Sequence, residues 1–457
     1  MPRQLHPTDQ LERIDRAARR VLAEMGMRVE NRLCLEALEA FGARIDFPKE
    51  RAVFPPEVID RMLNLVRNDH AGWTRSDPRF GRDLWIGSGG CCPFIYDDDR
   101  ADKRRAREAD CIQALKIVET SPVVASGPPV YNADCSPKFE AIRCLQLGLE
   151  TFNKTQLGGI DLFFPEQVPF AVELGRLYKN DPTRFLPAGN CPTSPLIVAK
   201  TIADLAVAKA PYKKFYAVPT MPVSGANAPI TPEGTAVIGV AEILGGYVLA
   251  KALNPETPVG SCALSARMDM KTGEVIYVAP EVLRADLAIV ETMEIVLKLP
   301  CSTFGVYIDA VVPGLQAVRE KLIRSLGLGI YGQLTGFEGT LDKGRVFSPT
   351  QLMIDYDLHR FFAAATNPPE MSEDTLGVEA ILKTAWDPAG YLTSDHTVRF
   401  MRQSESFNAE TSEANLLNRA RTTWQENLTR YEPPNHSREF LRDLKSICDR
   451  ARNELEK

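Results

Sequence analysis

Residues 215–274 decide the fold class of this chain. They read FYAVPTMPVSGANAPITPEGTAVIGVAEILGGYVLAKALNPETPVGSCALSARMDMKTGE. A short β-rich run is followed by a Gly/Pro/Asn loop, a long helical stretch, a second β-rich run and a polar loop. Two parallel strands need a crossover of this kind, so the segment predicts a βαβ unit. Ligands of α/β folds bind at the loops after the carboxyl ends of strands, which makes the loop 221–232 a candidate site.

The same alternation continues on both sides of this unit. Helical spacing of apolar residues recurs near 108–119, 138–150, 166–178, 197–209, 232–252, 279–297, 315–325 and 349–365. Short β-rich runs lie between them, near 123–126, 155–159, 185–189, 215–218, 258–263, 302–307 and 328–332. An eighth strand falls either near Tyr96 or at 336–340. Repeated units of this kind predict a parallel sheet, and eight of them predict a closed (β/α)8 barrel.

The two ends of the chain have helical patterns only. Residues 8–26, 32–43 and 55–66 repeat an apolar face before the first strand, and strand patterns cease after about residue 367. We therefore expect an N-terminal helical extension at 1–85, a catalytic barrel at 86–367 and a C-terminal helical segment at 368–457.

Composition narrows the classes of function. The chain has 457 residues, 44% hydrophobic and 25% charged, with a net charge of −6. These values are typical of a soluble globular protein, and no basic patch interleaved with aromatic residues favours a nucleic-acid partner. The N-terminus has no apolar signal region, so we expect a cytoplasmic protein that does not bind a membrane. The ten cysteines are then expected to be free thiols.

Several segments carry a family resemblance. The stretch PVSGANAPITPEGTAVIGVAEILGGYVLAKALNPETPV and the following MDMKTGE resemble the trimethylamine and glycine-betaine methyltransferase superfamily. Four further segments agree in the same order: GSGGCCPFIYD (87–97), LPCSTFGVYIDAVVPGLQAVREK (299–321), VFSPTQLMIDYDL (346–358) and DHTVRFMR (395–402). Members of this superfamily transfer a methyl group from a methylated amine to a corrinoid protein. The resemblance implies that chemistry here.

Such an enzyme must hold a methylated cation in front of the corrin ring. Aromatic faces suit the ammonium and polar groups suit a substrate carboxylate. The matching segments offer the aromatic candidates Phe94, Tyr96, Tyr307 and Phe337. The polar binding candidates are Asn190, Asn227 and Asp269, and Asp309 and Glu338 are candidate catalytic acids. For each residue the alternative is an ordinary role in packing, in a turn or at a helix cap.

One sequence difference from the trimethylamine enzymes bears on which substrate this chain uses. Those relatives contain pyrrolysine just before a segment that resembles GRVFSPTQLMID (344–355), and the matching position here is Lys343, or Asp342 if the alignment slips by one residue. No pyrrolysine is written in this chain. The departure favours a quaternary amine, such as glycine betaine or a similar betaine, whose leaving group needs no activation. Lys343 is then a candidate catalytic residue that pairs with a substrate carboxylate; the alternative is a solvated lysine.

The corrinoid is expected to arrive on a separate protein. The chain has no D-x-H-x-x-G run that would supply a histidine ligand to its own cobalamin. We predict no metal bound directly, and a homo-oligomer. Two other functions remain open: a zinc-thiolate barrel methyltransferase acting on another methyl donor, and a non-catalytic binder of betaine-like cations.

Overall fold

The computed structural model describes residues 3–75, 86–87, 90–122, 127–152, 157–303, 307–333, 336, 338–366, 371–401 and 412–456. The α-helices, in chain order, are α1 (Thr8–Glu24), α2 (Arg32–Ala40), α3 (Pro56–Asp69), α4 (Glu108–Thr120), α5 (Pro137–Thr151), α6 (Val168–Lys179), α7 (Lys200–Lys209), α8 (Pro232–Leu253), α9 (Pro280–Glu291), α10 (Leu315–Gly329), α11 (Pro349–Thr366), α12 (Glu373–Leu376), α13 (Val378–Thr384), α14 (Asp395–Phe400), α15 (Glu413–Thr429) and α16 (Arg438–Leu455). A π-helical turn, Thr292–Val296, extends α9.

The strands are short. They are β1 (Met27–Val29), β2 (Arg44–Asp46), β3 (Arg51–Val53), β4 (Phe94–Asp97), β5 (Asp102–Arg105), β6 (Ile197–Val198), β7 (Tyr216–Thr220), β8 (Val223–Ser224), β9 (Val259–Ala263), β10 (Ala266–Met268), β11 (Val275–Ile276), β12 (Cys301–Thr303), β13 (Thr340–Leu341) and β14 (Val346–Phe347). In the described residues they form four small sheets, with orders β2-β3-β1-β6, β11-β10-β8, β12-β9-β7 and β13-β14-β4-β5. None of these sheets closes on itself, so the fold observed directly is a mixed α/β fold.

The predicted βαβ unit is present. β7 and β9 pair in parallel from Tyr216↔Val259 to Thr220↔Ala263, and β12 continues the parallel sheet beyond β9. The crossover helix α8 begins at Pro232, where the Thr231 side chain accepts a hydrogen bond from the Gly234 amide. Helix α8 is long and apolar enough to cross a membrane by composition alone, but 78% of its apolar window is buried within the protein. It is the central helix of the core.

Two glycines of α8 allow neighbouring side chains to pack directly against its backbone. A Cβ on Gly245 would lie 2.1 Å from the Met27 sulfur, and a Cβ on Gly246 would lie 2.8 Å from a Val218 methyl group. The N-terminal segment therefore packs on one side of α8 and strand β7 on the other. Residues of both regions belong to a single buried apolar cluster.

The N-terminal segment is more than the predicted set of helices. Its helices α1, α2 and α3 agree with prediction, but strands β1, β2 and β3 lie between them. β1 also pairs in parallel with β6, through Arg28↔Ile197 and Val29↔Val198. This pairing joins the N-terminal segment to β6. The predicted helix at 197–209 begins later than expected, because residues 197–198 form β6 and α7 begins at Lys200.

Three of the predicted strands are not present in the described residues. The run at 328–332 overlaps the end of α10, because buried Ala317, Lys321, Arg324 and Leu328 continue one helical face to Gly329. The run at 185–189 forms only an isolated parallel bridge between Gly189 and Ala217, since Pro187 has no amide hydrogen for a continuous ladder. At 155–159 the described part, 157–159, is not a strand either. The predicted strand at 123–126 lies outside the described residues.

Backbone contacts also link chain segments outside the βαβ unit. β4 pairs in parallel with β14, and Cys92 bridges in parallel to Val130. A Cβ on Gly127 would lie 2.1 Å from the Gly159 carbonyl oxygen, and a Cβ on Gly159 would lie 3.2 Å from the Phe185 carbonyl oxygen. On the far side the amides of Asp342 and Lys343 donate to the carbonyls of Ala310 and Ile308, both at 2.8 Å. These contacts bring successive βα units side by side.

The C-terminal segment is helical in its described part, as predicted, through α12 to α16. Helix α16 buries Leu444, Ile447, Cys448 and Ala451 against the apolar cluster that contains α5 and α6. Helices α12 to α14 are different, since their large apolar side chains are exposed, among them Leu382 and Val398. The predicted homo-oligomer stays a prediction.

Candidate functional site

A cavity of about 430 Å³ lies where the ends of these segments meet. Its polar lining comes from two carboxylates, two basic side chains, a phenol, a thiol and a hydroxyl: Asp161, Glu338, Arg184, Lys214, Tyr307, Cys91 and Thr340. Gly90, Gly127, Gly159 and Gly344 also contribute to its wall, which leaves the backbone within reach of a ligand. The cavity therefore combines charges of both signs with one aromatic face.

Glu338 is a carboxylic acid of this cavity whose pKa is strongly raised. Protein surrounds it on all sides except the opening onto the cavity, and the resulting desolvation raises the pKa of its carboxyl from 4.5 to about 7. Lys321 opposes this rise and Asp355 adds to it. Near neutral pH Glu338 is therefore divided between its neutral and charged forms.

A buried ion pair behind Glu338 fixes its position. The ammonium of Lys321 and the carboxylate of Asp355 are in direct contact, with side chains 1% and 0% exposed. Asp355 also accepts the Gly339 amide at 2.8 Å and the Gln351 amide group at 2.8 Å. Because Gly339 directly follows Glu338 in the chain, this network holds the backbone that carries the cavity carboxylate.

Asp161 supplies the second carboxylate. Its side chain is exposed to water at the cavity, although many protein atoms lie around the carboxyl group. Desolvation raises the pKa of Asp161 above its usual value, and the charge of Lys209 opposes the rise. Lys209 itself is buried and donates to the Pro187 carbonyl at 3.0 Å and to Asn190 Oδ1 at 2.9 Å. A cationic ligand would stabilise the charged form of Asp161.

Tyr307 provides the aromatic face. Its ring lies 5.5 Å from that of Tyr277, centroid to centroid, with the planes tilted by 40°. Gly344 packs against the ring, since a Cβ there would lie 3.0 Å from two ring atoms. Any larger residue at 344 would push the ring away. Gly344 also has φ +75°, a conformation that favours glycine.

Of the residues predicted from sequence, the cavity brings together Glu338 and Tyr307. Lys343 lies in the adjoining turn, with φ +61°, and its amide donates to the Ile308 carbonyl. Its side chain is half-buried and is not among those that line the cavity. Phe337 lies outside the described residues.

Other predicted residues make local backbone contacts. The carboxylate of Asp309 accepts hydrogen bonds from the backbone amides of Tyr277 and Val278, and the shortest distance to each amide nitrogen is 2.9 Å. Asn227 accepts the Val223 amide at 2.6 Å within its own loop, and Asp269 accepts the Lys271 amide at 2.8 Å in a turn. These contacts agree with the alternative of turn-forming roles.

Three more predicted residues do not line the cavity. Asn190 is buried, and besides its bond from Lys209 it donates to the Ala188 carbonyl at 2.8 Å. Phe94 has Arg105 5.2 Å above its ring, a cation–π contact within the β4–β5 hairpin. Tyr96 packs against the small apolar cluster that contains Ile308. Of the predicted cage residues that the structure describes, Tyr307 is the one that lines the cavity.

The residues not predicted from sequence are Asp161, Arg184, Lys214 and the pair Lys321–Asp355. Asp161 lies two residues after a predicted strand, in the sequence GGID, so the rule on strand ends would have found it. Lys321 gives no such signal, because a lysine in a predicted helix is normally expected to be exposed to solvent. In the part of the chain that the structure describes, no three His, Cys, Asp or Glu side chains form a group that could hold a metal ion. All ten cysteines are free thiols.

Comparison with known proteins identifies the family. A sequence model of the trimethylamine methyltransferase (MTTB) family matches residues 1–456. The chain belongs to the trimethylamine methyltransferase family. It is 25% identical over 400 residues to trimethylamine methyltransferase MttB of Methanosarcina barkeri, covering 83% of this chain and 79% of that protein. It is 21% identical over 453 residues to the glycine betaine methyltransferase of Desulfitobacterium hafniense, covering 93% and 92%. We therefore class this family member as a methyltransferase.

Solved structures support the fold. The crystal structure of monomethylamine methyltransferase (MtmB) from Methanosarcina barkeri superposes with a TM-score of 0.51 at 13% identity, covering 99% of this chain and 88% of that one. The structure of an MtmB complex with hydroxylamine gives the same TM-score, identity and coverage. The likeness shows a shared mixed α/β fold.

Proposed function

We propose that this family member is a corrinoid-dependent methyltransferase that acts on a quaternary amine, glycine betaine or a similar betaine. The methyl group moves to cob(I)alamin carried by a separate corrinoid protein. The observation that carries this proposal is the cavity itself, in which the carboxylates of Glu338 and Asp161 and the ring of Tyr307 face the same space. Both carboxylates and a ring face attract an ammonium group.

The chemistry needs little from the protein beyond positioning. The methyl carbon bonds to the reduced cobalt, and its bond to nitrogen breaks with both electrons remaining on nitrogen. The leaving group is then a neutral tertiary amine, which requires no proton. The positive charge on the substrate nitrogen falls during transfer, so Glu338 and Asp161 bind the substrate more strongly than the product. Their role is to hold the cation and orient its methyl group.

The architecture that suits this role is a barrel. We propose that the segments beginning near residues 92, 128, 157, 185, 216, 259, 301 and 338 form the eight-membered wall of a (β/α)8 barrel, with the cavity in its interior; those near 157 and 185 are wall segments without a continuous strand ladder. The support is the series of parallel pairings, close glycine approaches and backbone hydrogen bonds that joins each segment to the next, from β14 beside β4 to β12 beside β9. The resulting domain corresponds to 86–367, between the N-terminal and C-terminal segments.

The corrinoid partner is part of the same proposal. The corrinoid enters as a co-substrate on another protein, and the enzyme works in the cytoplasm. Among the predicted catalytic residues, Glu338 lies at the cavity wall, whereas Asp309 and Lys343 stay predictions. The same holds for Asn190, Asn227, Asp269, Phe94, Tyr96 and Phe337 as substrate-binding residues.

Replacing Tyr307 by leucine tests the aromatic face. Leucine keeps most of the bulk but removes the negative ring face, so binding of a quaternary ammonium should weaken by about 0.5–2 kcal/mol. Calorimetric titration with tetramethylammonium measures this loss, and thermal unfolding checks that the fold is kept. Tyr96→Leu tests the other predicted tyrosine, which packs against the cluster that contains Ile308 and does not line the cavity, so its effect should be smaller. Equal affinity in Tyr307→Leu and the parent enzyme would remove this ring from the site.

Methyl transfer itself is tested with a panel of betaines. Purified enzyme, cob(I)alamin and each compound are mixed without oxygen, and the absorbance change from Co(I) to methyl-Co(III) is followed. We expect conversion with at least one betaine. Binding of betaines without any conversion would favour the non-catalytic binder, and activity that depends on stoichiometric zinc after dialysis would favour the zinc-thiolate alternative.

A further inference from the structure

The cavity also has a basic side. Arg184 and Lys214 line the same space as Glu338 and Asp161. Arg184 donates through Nε and Nη2 to the Leu157 carbonyl, at 2.9 and 2.5 Å, and Lys214 donates to the Thr183 carbonyl at 2.9 Å. Within the described ranges neither side chain forms an ion pair with a carboxylate. Both cations are thus hydrogen-bonded only to backbone carbonyls there.

The two cations lie close enough to affect each other. The pKa of Lys214 is lowered, first by burial, and the positive charge of Arg184 lowers it further, while Asp181 opposes the shift. Asp181 is already engaged, because its Oδ1 accepts the amide and the hydroxyl of Thr183 at 2.8 and 2.9 Å. Two half-buried positive charges that form no ion pair in the described residues, beside an Asp181 already engaged in its own turn, favour an additional anion.

The placement of the basic and the acidic side chains around the cavity determines which kind of ligand it can bind. Arg184 is anchored to the carbonyl of Leu157, and Asp161 lies four residues further along the same segment, a reach of at most about 14 Å. Lys214 directly precedes the βαβ unit, and Glu338 belongs to a different part of the chain. One cavity therefore presents carboxylates to a cation and basic groups to an anion. A ligand that satisfies both carries both charges.

We infer that Arg184 and Lys214 form the carboxylate-binding subsite of this enzyme, and that its substrates are zwitterions with an ammonium and a carboxylate on one chain. This inference rests on the proposed function, because the ammonium end is the one whose methyl group is transferred. The planar guanidinium of Arg184 suits a carboxylate, and Lys214 adds a second charge. The role that the sequence assigned to Lys343 falls instead to these two residues.

The test compares matched ligands by calorimetric titration. A series of ω-trimethylammonio carboxylates with one to four methylene groups is set against trimethylalkylammonium ions of the same lengths without the carboxylate. We expect the carboxylate to improve binding at least tenfold for one or more lengths in the parent enzyme. Arg184→Met and Lys214→Met should each lose most of that gain and bind the carboxylate-free cations as before.

The control variant is Lys213→Met. Lys213 is the neighbour of Lys214, is exposed, and pairs with Glu256 at the surface, so its loss should leave every affinity unchanged. Lys214→Arg keeps the charge and should keep most of the gain. Persistence of the full gain in both methionine variants, or no gain in the parent enzyme, would overturn the inference.

The ligand series also separates this inference from the proposed function. If trimethylalkylammonium ions bind and the carboxylate adds nothing, the function stands and the subsite fails. A simple carboxylate, butyrate, provides the opposite case. If butyrate binds in a Lys214-dependent manner and no methylated ammonium ion binds, the subsite stands and the proposed function fails.

Discussion

Glu338→Gln is expected to weaken binding of a quaternary ammonium by about 10- to 50-fold at pH 8. Two unit charges about 4 Å apart interact by roughly 4 kcal/mol in a partly buried site, and desolvation offsets part of this. Glutamine keeps the shape of the side chain and removes its charge. Titration of tetramethylammonium into both proteins measures the difference directly.

The pH dependence of that binding gives a second readout. The pKa of Glu338 is raised to about 7, so the carboxylate is mostly neutral at pH 6 and mostly charged at pH 8. The parent enzyme should therefore bind the cation several-fold more tightly at pH 8 than at pH 6, and Glu338→Gln should lose most of this dependence. A variant as pH-dependent as the parent enzyme would exclude Glu338 as the responsible group.

Glu140→Gln is the matched control. Burial raises the pKa of Glu140 to about 7 as well, but Glu140 lies on α5 and does not line the cavity. Both glutamates have a pKa of about 7 in the folded protein and 4.5 in the unfolded chain, so the folded state binds their protons more tightly. The free energy of unfolding therefore falls as the pH rises from about 4.5 to 7. Both variants should accordingly gain stability, relative to the parent enzyme, at pH 8 compared with pH 5. Only Glu338→Gln should change cation binding.

Lys321→Met is expected to lower the free energy of unfolding by about 3–5 kcal/mol. The substitution leaves the carboxylate of Asp355 buried without its cation, and breaking a buried pair from one side costs about this much. It also removes the positive charge that opposes the pKa rise of Glu338, so the onset of cation binding should move to higher pH. Denaturant unfolding measures the first effect and titration at several pH values measures the second.

A surface pair provides the comparison for this prediction. Lys445 pairs with Asp449 on an exposed face of α16, and Lys445→Met should change stability by less than about 1 kcal/mol. The double variant Lys321→Met with Asp355→Leu should recover part of the loss, because neither charge then remains buried alone. A loss below 1 kcal/mol for Lys321→Met would contradict the structural role of this pair.

The helices were predictable from sequence because their signals are local. The predicted helix at 232–252 is α8, which starts at a threonine cap followed by proline and carries apolar residues throughout. The predicted strands at 215–218 and 258–263 are also present, as β7 and β9. Short strands such as β1 and β6 were missed, because two or three residues show no periodicity and their pairing joins distant parts of the chain.

The candidate site was predictable only in part. Glu338 and Tyr307 stood out because both lie in or near segments that resemble a known family. Arg184 and Lys214 could not be singled out, since their significance comes from facing one cavity, which depends on the fold as a whole. Lys343, in contrast, was singled out by the family resemblance, and the structure places it in a turn beside the cavity wall. Its role in binding stays a prediction.

The central claim is that the cavity holds a methylated ammonium and delivers its methyl group to a corrinoid. The most direct measurement uses a betaine labelled with carbon-13 in its N-methyl groups, mixed without oxygen with the enzyme and cob(I)alamin. Carbon-13 NMR should show the label on methylcobalamin together with one equivalent of the demethylated amine, at a rate that, with the betaine below saturation, falls at least tenfold in Glu338→Gln. Label that remains wholly on the betaines, with parent enzyme that is folded and binds them, would contradict the account.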